Sequence, residues 1–589
     1  MKKTKFLRQL TALVVTLSVV LPFGSANLQH VSAAENSQTR SQTYVENMGK
    51  GWNLCNTYDS LRTDDFSKSD ETSWGMPVVT QDFIKAVKAK GFNSIRIPMT
   101  AYTRYSLVDG HYVINQAWIT KYKQTVDWAV AEGLYVMINT HHDSWTWLSK
   151  WDGNKSSEEY KTYVDLWTQI ADTFKDEPDT VCFETINEPC FDSDTGSITK
   201  QDKLDMINLA AHDIVRKSGG NNATRMMVIP TMGCNSADGN SDKTSKFISS
   251  LNDPNIIATV HYYSDWVYSG SLGITGFDEK LYPDTDKTET PRTNVDLFFN
   301  TLSDSFTSKG IGVVIGEYGL LGADFGASAH QEGEKLKYFE YMNYMASQKG
   351  VCPMVWQGII NRDPATNYSY NPPLLGAMVD ACIHGARSSY STGLNELYLT
   401  KAVDDGLQIP LTLNGNQFLG IDGLTNGQDY TYDETTATVT LSKDFVNSKF
   451  NALAANQYGN IADLVMKFSA GADWHQYLIK YSAAVLNPAT GTTTSFDIPV
   501  NFNGAKLRRA AAYDASGKRV GTSSWFTYEQ WDSGFKADYD KSTITIPDTF
   551  FKDGSVKDGT IKFTFEFYDG QKINYTIEKN GTTVTGQQS

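Results

Sequence analysis

Between Gly49 and Gln357 the chain repeats one pattern eight times, a short run of apolar residues followed by a longer amphipathic stretch. The runs fall at 51–54, 94–98, 135–139, 181–186, 226–229, 256–260, 313–316 and 353–356. Residues apolar on consecutive positions suit strands buried on both faces, as in a parallel sheet covered by helices. The stretches between them carry helix signals. Thr80 can N-cap a helix in which Phe83, Ile84 and Val87 share one stripe, and Gly91 is placed to end it. Further helices are expected near 116–132, 156–175, 200–218, 292–309 and 331–349. Eight strands alternating with helices predict an α/β fold, a (β/α)8 TIM barrel over residues 35–395. A doubly wound open sheet would want a Gly-rich phosphate loop after its first strand, and Gly49-Lys50-Gly51-Trp52 does not have that spacing.

The grammar changes after the barrel. Two-residue alternation appears in Thr438-Val439-Thr440-Leu441 and in Ile561-Lys562-Phe563-Thr564-Phe565-Glu566-Phe567, with turn signals at Asn414-Gly415, Asn426-Gly427, Asn503-Gly504 and Asp569-Gly570. These predict two all-β modules, 396–490 and 491–589, joined by short, stiff junctions. At the other end, Lys2, Lys3, Lys5 and Arg8 precede an apolar run ending near Phe23, and Val31-Ser32-Ala33-Ala34 supplies small residues for cleavage. Residues 1–34 therefore read as a signal peptide of a secreted, extracellular protein.

Charge and composition narrow the partners. The 589 residues hold 52 Lys+Arg against 67 Asp+Glu, a formal net charge of −15. No basic run offers a face for a phosphate backbone, so nucleic acid is not expected. No later segment is long and apolar enough to span a bilayer. Aromatic residues make up 12% of the chain, and their faces either fill cores or stack on sugar rings. Six cysteines, Cys55, Cys182, Cys190, Cys234, Cys352 and Cys382, match no zinc spacing, and both disulfides and buried thiols remain open.

Barrel enzymes build their sites at the C-terminal ends of the strands. There the fourth run ends in Asn187-Glu188-Pro189 and the seventh in Gly316-Glu317-Tyr318-Gly319. A pair of carboxylates across one barrel mouth is what glycosidic cleavage needs, one as general acid and the other as nucleophile or base. Asn187 can bond a sugar 2-hydroxyl, Arg96 and Tyr263 can hold Glu317 ionised, and Trp356 offers a floor for the ring. Glu188, as the acid, is expected to have a raised pKa. His141-His142-Asp143 and His261 could be read as a metal cluster, but adjacent strand residues point to opposite faces. His141 and His261 are read instead as hydrogen-bond donors around the two glutamates, with no metal and no cofactor. Asp192-Ser193-Asp194-Thr195-Gly196 starts like a calcium loop but lacks the required Gly and Glu.

At these residues the chain resembles glycoside hydrolase family 5, most closely its subfamily 4. The motifs are Gly51-Trp52-Asn53-Leu54, Glu71-Thr72-Ser73-Trp74-Gly75, Ile95-Arg96-Ile97-Pro98, Phe183-Glu184-Thr185-Ile186-Asn187-Glu188-Pro189 and Gly316-Glu317-Tyr318-Gly319. The resemblance implies a retaining endo-β-1,4-glucanase acting by double displacement, with Glu188 as acid/base and Glu317 as nucleophile. Its substrates would be cellulose and related β-glucans, with xyloglucan a further one. It places Arg96, His141, Asn187, His261, Tyr263 and Trp356 on the family's other active-site positions; Asn53 and His142 complete the candidate substrate-binding set. Cys55 and Met76 depart from the family pattern in the first loop. Residues 396–490 resemble the immunoglobulin-like X-two module. The last module resembles carbohydrate-binding module family 46, where Trp525 and Trp531 are candidates to stack on glucose rings. Family 5 also hosts mannanases and xylanases, and a dead barrel that only binds polysaccharide is the alternative outside enzymes. A monomer is expected.

Overall fold

The computed structural model describes residues 38–589 except 238, 325–328 and 357. The expected signal segment, 1–34, lies outside the described residues. Eight strands, all parallel, close into a barrel: β1 (Gly51–Asn53), β2 (Ser94–Met99), β3 (Tyr135–Thr140), β4 (Val181–Glu184), β5 (Met227–Pro230), β6 (Ile256–Tyr262), β7 (Gly312–Tyr318) and β8 (Val351–Val355). Nearly every residue in them is buried, which is why they read as unbroken apolar runs. Among the described residues no helix is long and apolar enough to cross a membrane.

The expected helices form at Gln81–Ala89, Gln116–Ala131, Glu158–Phe174, Lys200–Lys217, Pro291–Ser305 and Glu332–Lys349. Thr80 caps the first by accepting from Phe83 N, and the chain turns at Gly91 with φ of +95°. Among the described residues of the barrel, three more helices of nine or more residues escaped the pattern. Asn240–Ser250 buries Ser241, Thr244, Ser245 and Ile248, an inward face made mostly of hydroxyls, so it shows no apolar stripe. Pro373–Ile383 lies beyond the eighth strand. Arg40–Met48 closes the bottom of the barrel, packing Tyr44, Val45 and Met48 against Met137, Cys182, Val228, Val314 and Cys352. Gly312 lets it approach, since a Cβ there would stand 2.4 Å from Ser41 O. Cys182, Cys234, Cys352 and Cys382 are buried free thiols and Cys190 an exposed one.

The middle module is a pair of four-stranded sheets. The chain enters it at Tyr390, ahead of the expected start at 396, because Tyr390–Ser391 pairs with Leu411 and Thr412 of Leu407–Thr412. Its core is continuous with the barrel's. Trp474 lies over Gly333 of Glu332–Lys349, where a Cβ would come 2.6 Å from its ring, and the buried ammonium of Lys337 donates to Gly393 O at 2.7 Å. The last module is a nine-stranded sheet with its own core. It begins at Val485–Leu486, which pairs with Val500 and Asn501, so the expected start at 491 is also late. The expected junction at 490–491 falls inside a strand of small residues, Ala489–Thr492.

This module docks on the loop that follows β6. Trp531 N donates to Ser271 O at 3.0 Å, Arg508 and Arg509 both reach Glu279, Arg519 pairs with Asp284, and the Tyr528 ring fills the space left open at Gly273. The turn carrying Trp525 and Trp531 is wrapped around one buried carboxyl. Glu529 Oε2 accepts from Thr522 Oγ1 at 3.0 Å, and Gly521 and Gly534 crowd the same side chain. Burial pushes the Glu529 carboxyl up from 4.5 to about 7. A folded-state pKa raised in this way means the folded module binds its proton more tightly than the unfolded chain does. Stability should therefore fall as pH rises from about 4.5 to about 7 and level off above. Calorimetry at about pH 5 and about pH 8 should show that slope in the last module's transition, and Glu529→Gln should remove it.

Candidate active site

The site is organised by Arg96, whose side chain leaves β2 into the barrel and is completely buried. Its guanidinium donates Nε to Glu184 Oε2 at 2.8 Å, Nη1 to Asn53 Oδ1 at 3.1 Å and to Glu317 Oε1 at 2.8 Å, and Nη2 to Asn187 Oδ1 at 2.7 Å. Burial opposes the charge, but Glu184 and Glu317 outweigh it and hold the guanidinium above its ordinary pKa. Asn53 was expected to contact substrate. Instead it is fully buried beneath Arg96, donating to Gly316 O at 2.9 Å and Met354 O at 3.2 Å. It is part of the support under the site, not of the cleft.

Glu317, on β7, accepts from Arg96 on one oxygen and from Tyr263 Oη at 2.7 Å on the other. Both neighbours only donate here, an arrangement that suits an anionic carboxylate. Glu188 follows β4 with φ of +39°, a left-handed conformation costly for a residue with a Cβ. Its side chain is 46% exposed, and Oε1 lies 2.9 Å from His261 Nδ1. A carboxylate oxygen of each glutamate and a ring nitrogen of His261 lie within 4.8 Å of one another. The expected raised pKa at Glu188 is not found. Burial alone would raise it, but the hydrogen bond and charge of His261, with Arg96, hold it below the ordinary value. His261 moves the other way: burial opposes its charge, and Cys234, Glu317 and Glu188 outweigh it. The proton shared by the pair thus rests on the imidazole.

Two further histidines and Trp356 form the wall. His141 lies 3.8 Å from Glu317 Oε1, pairs through Nδ1 with Asn139, and stacks on Trp356 with ring centres 5.5 Å apart and planes 7° from parallel. His142 accepts from Trp145 Nε1 at 2.8 Å on its Nδ1, so Nε2 carries the hydrogen, facing Asp59 Oδ2 at 3.9 Å. Burial lowers it to about 4 and raises Asp59 to about 6. His142 Nε2 has no hydrogen-bond partner among the described residues, and Asp59, His141 and His142 bring ligand-type atoms within 4.8 Å of one another. Glu188, His261 and Glu317 have ligand-type atoms in reach of one another, but the positive charge there is already supplied by Arg96 and His261.

The cellulase (glycosyl hydrolase family 5) profile matches residues 59–361, and a carbohydrate-binding domain profile, CBM46, matches 482–587. "Endoglucanase B" of Paenibacillus lautus is 35% identical over 591 residues, covering 99% of this chain and all of that protein. The chain belongs to glycosyl hydrolase family 5. It is a glycoside hydrolase, a cellulase with endoglucanase activity, and it carries a carbohydrate-binding module. A full-length tri-modular endo-β-1,4-glucanase B from Bacillus halodurans superposes with a TM-score of 0.84 at 34% identity, covering 93% of this chain and 99% of that one. A second trimodular endoglucanase structure, of subfamily 4, matches as well, with a TM-score of 0.84 at 34% identity over 94% of this chain and 100% of that one.

Of the residues expected at the site, the family 5 barrel brings together Glu188, Glu317, Arg96, His141, Asn187, His261, Tyr263 and Trp356, with His142 on the side wall. Trp525 and Trp531 belong to the last module. Trp525 is 61% exposed, while Trp531 lines a cleft of 340 Å³ with Trp266 and Leu321 of the barrel. In the loops after β3 and β6, Trp145 and Trp266 stay open to solvent, Trp151 is buried, and Trp147 donates to Asp143. Glu184 and Asn139, which bond each other at 2.7 Å beneath Glu188 and Glu317, were not among the expected site residues. The signal was an acid inside an otherwise apolar run. Because Lys offers a point charge in place of a planar fork, Arg96→Lys cannot hold both glutamates and Asn187 at once. It should lower kcat on a soluble β-glucan on the order of 100-fold, and a loss of only a few-fold would contradict the role of Arg96.

Proposed function

We propose that this cellulase is a secreted, retaining endo-β-1,4-glucanase in which Glu317 is the nucleophile and Glu188 the acid/base. The observation that carries the reading is that one oxygen of Glu188 and one of Glu317 come within 4.8 Å of each other, with His261 Nδ1 at 2.9 Å from the first residue and 3.5 Å from the second. Retaining enzymes hold the two groups roughly 5–5.5 Å apart, whereas inverting ones leave about 6.5–9.5 Å for a water between them. In the first step a Glu317 oxygen forms a bond to the anomeric carbon while the bond to the leaving oxygen breaks. That oxygen takes a proton from the Glu188–His261 pair. In the second step water attacks the glycosyl ester, gives its proton back to the pair, and releases Glu317 as carboxylate.

The proton rests on His261 in the free enzyme. A bound glucan covers the half-exposed Glu188 and removes its water, and desolvation favours the neutral acid over the ion pair. The proton then has only the 2.9 Å hydrogen bond to cross before it is in reach of the leaving oxygen. Asn187, fixed by Arg96, is placed for the 2-hydroxyl, and the Trp356 face for the sugar ring. The docked last module supports a longer cleft in which Trp266 and Trp531 meet the same chain, with mixed-linkage glucan and xyloglucan as further substrates. The signal-like segment 1–34 supports export.

Reducing-sugar release from carboxymethylcellulose, barley β-glucan, xyloglucan, xylan and mannan tests the substrate class. Glucans should be cut in preference to xylan and mannan. Glu317→Ala should lose activity on all of them. Glu188→Ala should lose on the order of 10²–10⁴-fold on the polymers yet turn over a dinitrophenyl cellobioside, whose leaving group needs no proton. Substantial glucan hydrolysis by Glu317→Ala would refute the assignment.

A further inference from the structure

His261 spends one edge of its ring on the catalytic pair, with Nδ1 at 2.9 Å from Glu188 and 3.5 Å from Glu317. Its other edge turns back into the barrel wall. There His261 Nε2, Glu184 Oε1 and Thr259 Oγ1 are all buried without a hydrogen-bond partner among the described residues. The Cys234 sulfur, a Glu184 oxygen and a His261 ring nitrogen lie within 4.8 Å of one another. The absence of a side chain at Gly316 leaves room for these groups, since a Cβ would stand 2.9 Å from Thr259 Oγ1 and 3.0 Å from His261 Nε2. The groups come from four neighbouring positions around the barrel: Glu184 ends β4, Cys234 follows β5, Thr259 and His261 are on β6, and Gly316 is on β7.

Hydrogen-bond logic decides the state of the ring. Nδ1 faces a carboxylate and so carries a hydrogen. A neutral ring would then turn a lone pair at Nε2 toward the Glu184 carboxylate, whose other oxygen accepts from Arg96 at 2.8 Å and Asn139 at 2.7 Å. A cationic ring turns an N–H toward that carboxylate, the Thr259 hydroxyl and the Cys234 sulfur, all of which can accept. Burial pushes the Cys234 thiol up, so it stays an S–H group. The other charged or titratable groups facing this centre are Glu188, Glu317, Arg96 through Glu317 and Glu184, His141 on the far side of Glu317, and Tyr263.

We propose that Glu184 and Cys234 are positioning residues for the acid/base: acting on the Nε2 edge of His261, they fix the ring and favour its doubly protonated form, so that Nδ1–H stays aimed at Glu188. The inference rests on Glu188 being the acid/base. Neither residue touches the substrate or the reacting atoms, and neither gains or loses a proton over the cycle. What they govern is how firmly the Glu188–His261 pair holds its proton. A nearby negative charge favours the protonated form, so its removal lets the pair release the proton at lower pH.

The test is the pH profile of kcat/KM on a soluble β-glucan. Glu184→Gln should move the alkaline limb to lower pH by about one unit, Cys234→Ala should move it in the same direction by less, and Cys234→Ser should leave it in place. An alkaline limb unmoved in both Glu184→Gln and Cys234→Ala, or activity lowered equally at all pH values, would overturn the proposal. Glu184 also anchors Arg96, so a second readout does not depend on that variant folding. Nitrogen NMR of the parent enzyme should show both His261 nitrogens protonated at about pH 6, and an unprotonated Nε2 there would contradict it. A separate control tests the underlying assignment: on a dinitrophenyl glycoside, Glu188→Ala should lose the alkaline limb, and its persistence would sink the acid/base reading itself.

Discussion

A single buried guanidinium ties together four residues from around the barrel. Arg96 reaches Glu184 at the end of β4, Glu317 on β7, Asn53 on β1 and Asn187 after β4. A buried cation is tolerable only when paired and fully hydrogen-bonded, and here the partners are the groups whose positions matter for chemistry. Glu317 is held on one side by that charge and on the other by a phenol. Glu188 is held by an imidazole that also faces Glu317. The barrel supplies the rigidity. Its strands are packed on both faces and its bottom is sealed by Arg40–Met48, so the strand ends that carry these residues have little freedom to move apart.

The three modules are joined by packing more than by tethers. Trp474 and Gly333 merge the middle module's core into the barrel's, and the last module is docked by Arg508, Arg509 and Arg519 on the acids of a single barrel loop. That loop also carries Trp266, which faces Trp531 across a shared cleft. Docking and the extent of the cleft are therefore linked: whatever holds the arginines on Glu279 and Asp284 also holds the two tryptophans in register.

The barrel was legible because burial on both faces forces strands into apolar runs, and because Glu188 and Glu317, the proposed catalytic pair, stand at the ends of those runs. Asn240–Ser250 was not legible, since a helix that buries hydroxyl groups carries no apolar stripe. Module boundaries were placed late for a related reason: Tyr390–Ser391 and Ala489–Thr492 are short strands whose identity comes only from the partners they pair with. Within the site, motif residues were found readily, but their burial was not. Asn53 looked like a substrate contact and is a support, and Glu184 is both the last residue of β4 and a partner of Arg96. The pKa of Glu188 misled for a physical reason, since the proposed role as acid suggested a raised value while a neighbouring imidazolium lowers it in the free enzyme.

The central claim is that the two glutamates stand close enough for one to attack the sugar while the other delivers a proton. The stereochemistry of the product tests it most directly. Proton NMR of cello-oligosaccharide hydrolysis, followed from the first turnover and before mutarotation, should show the β-anomer accumulating first at the new reducing end. Initial release of the α-anomer would mean that water attacks directly between the carboxylates, and would contradict the account.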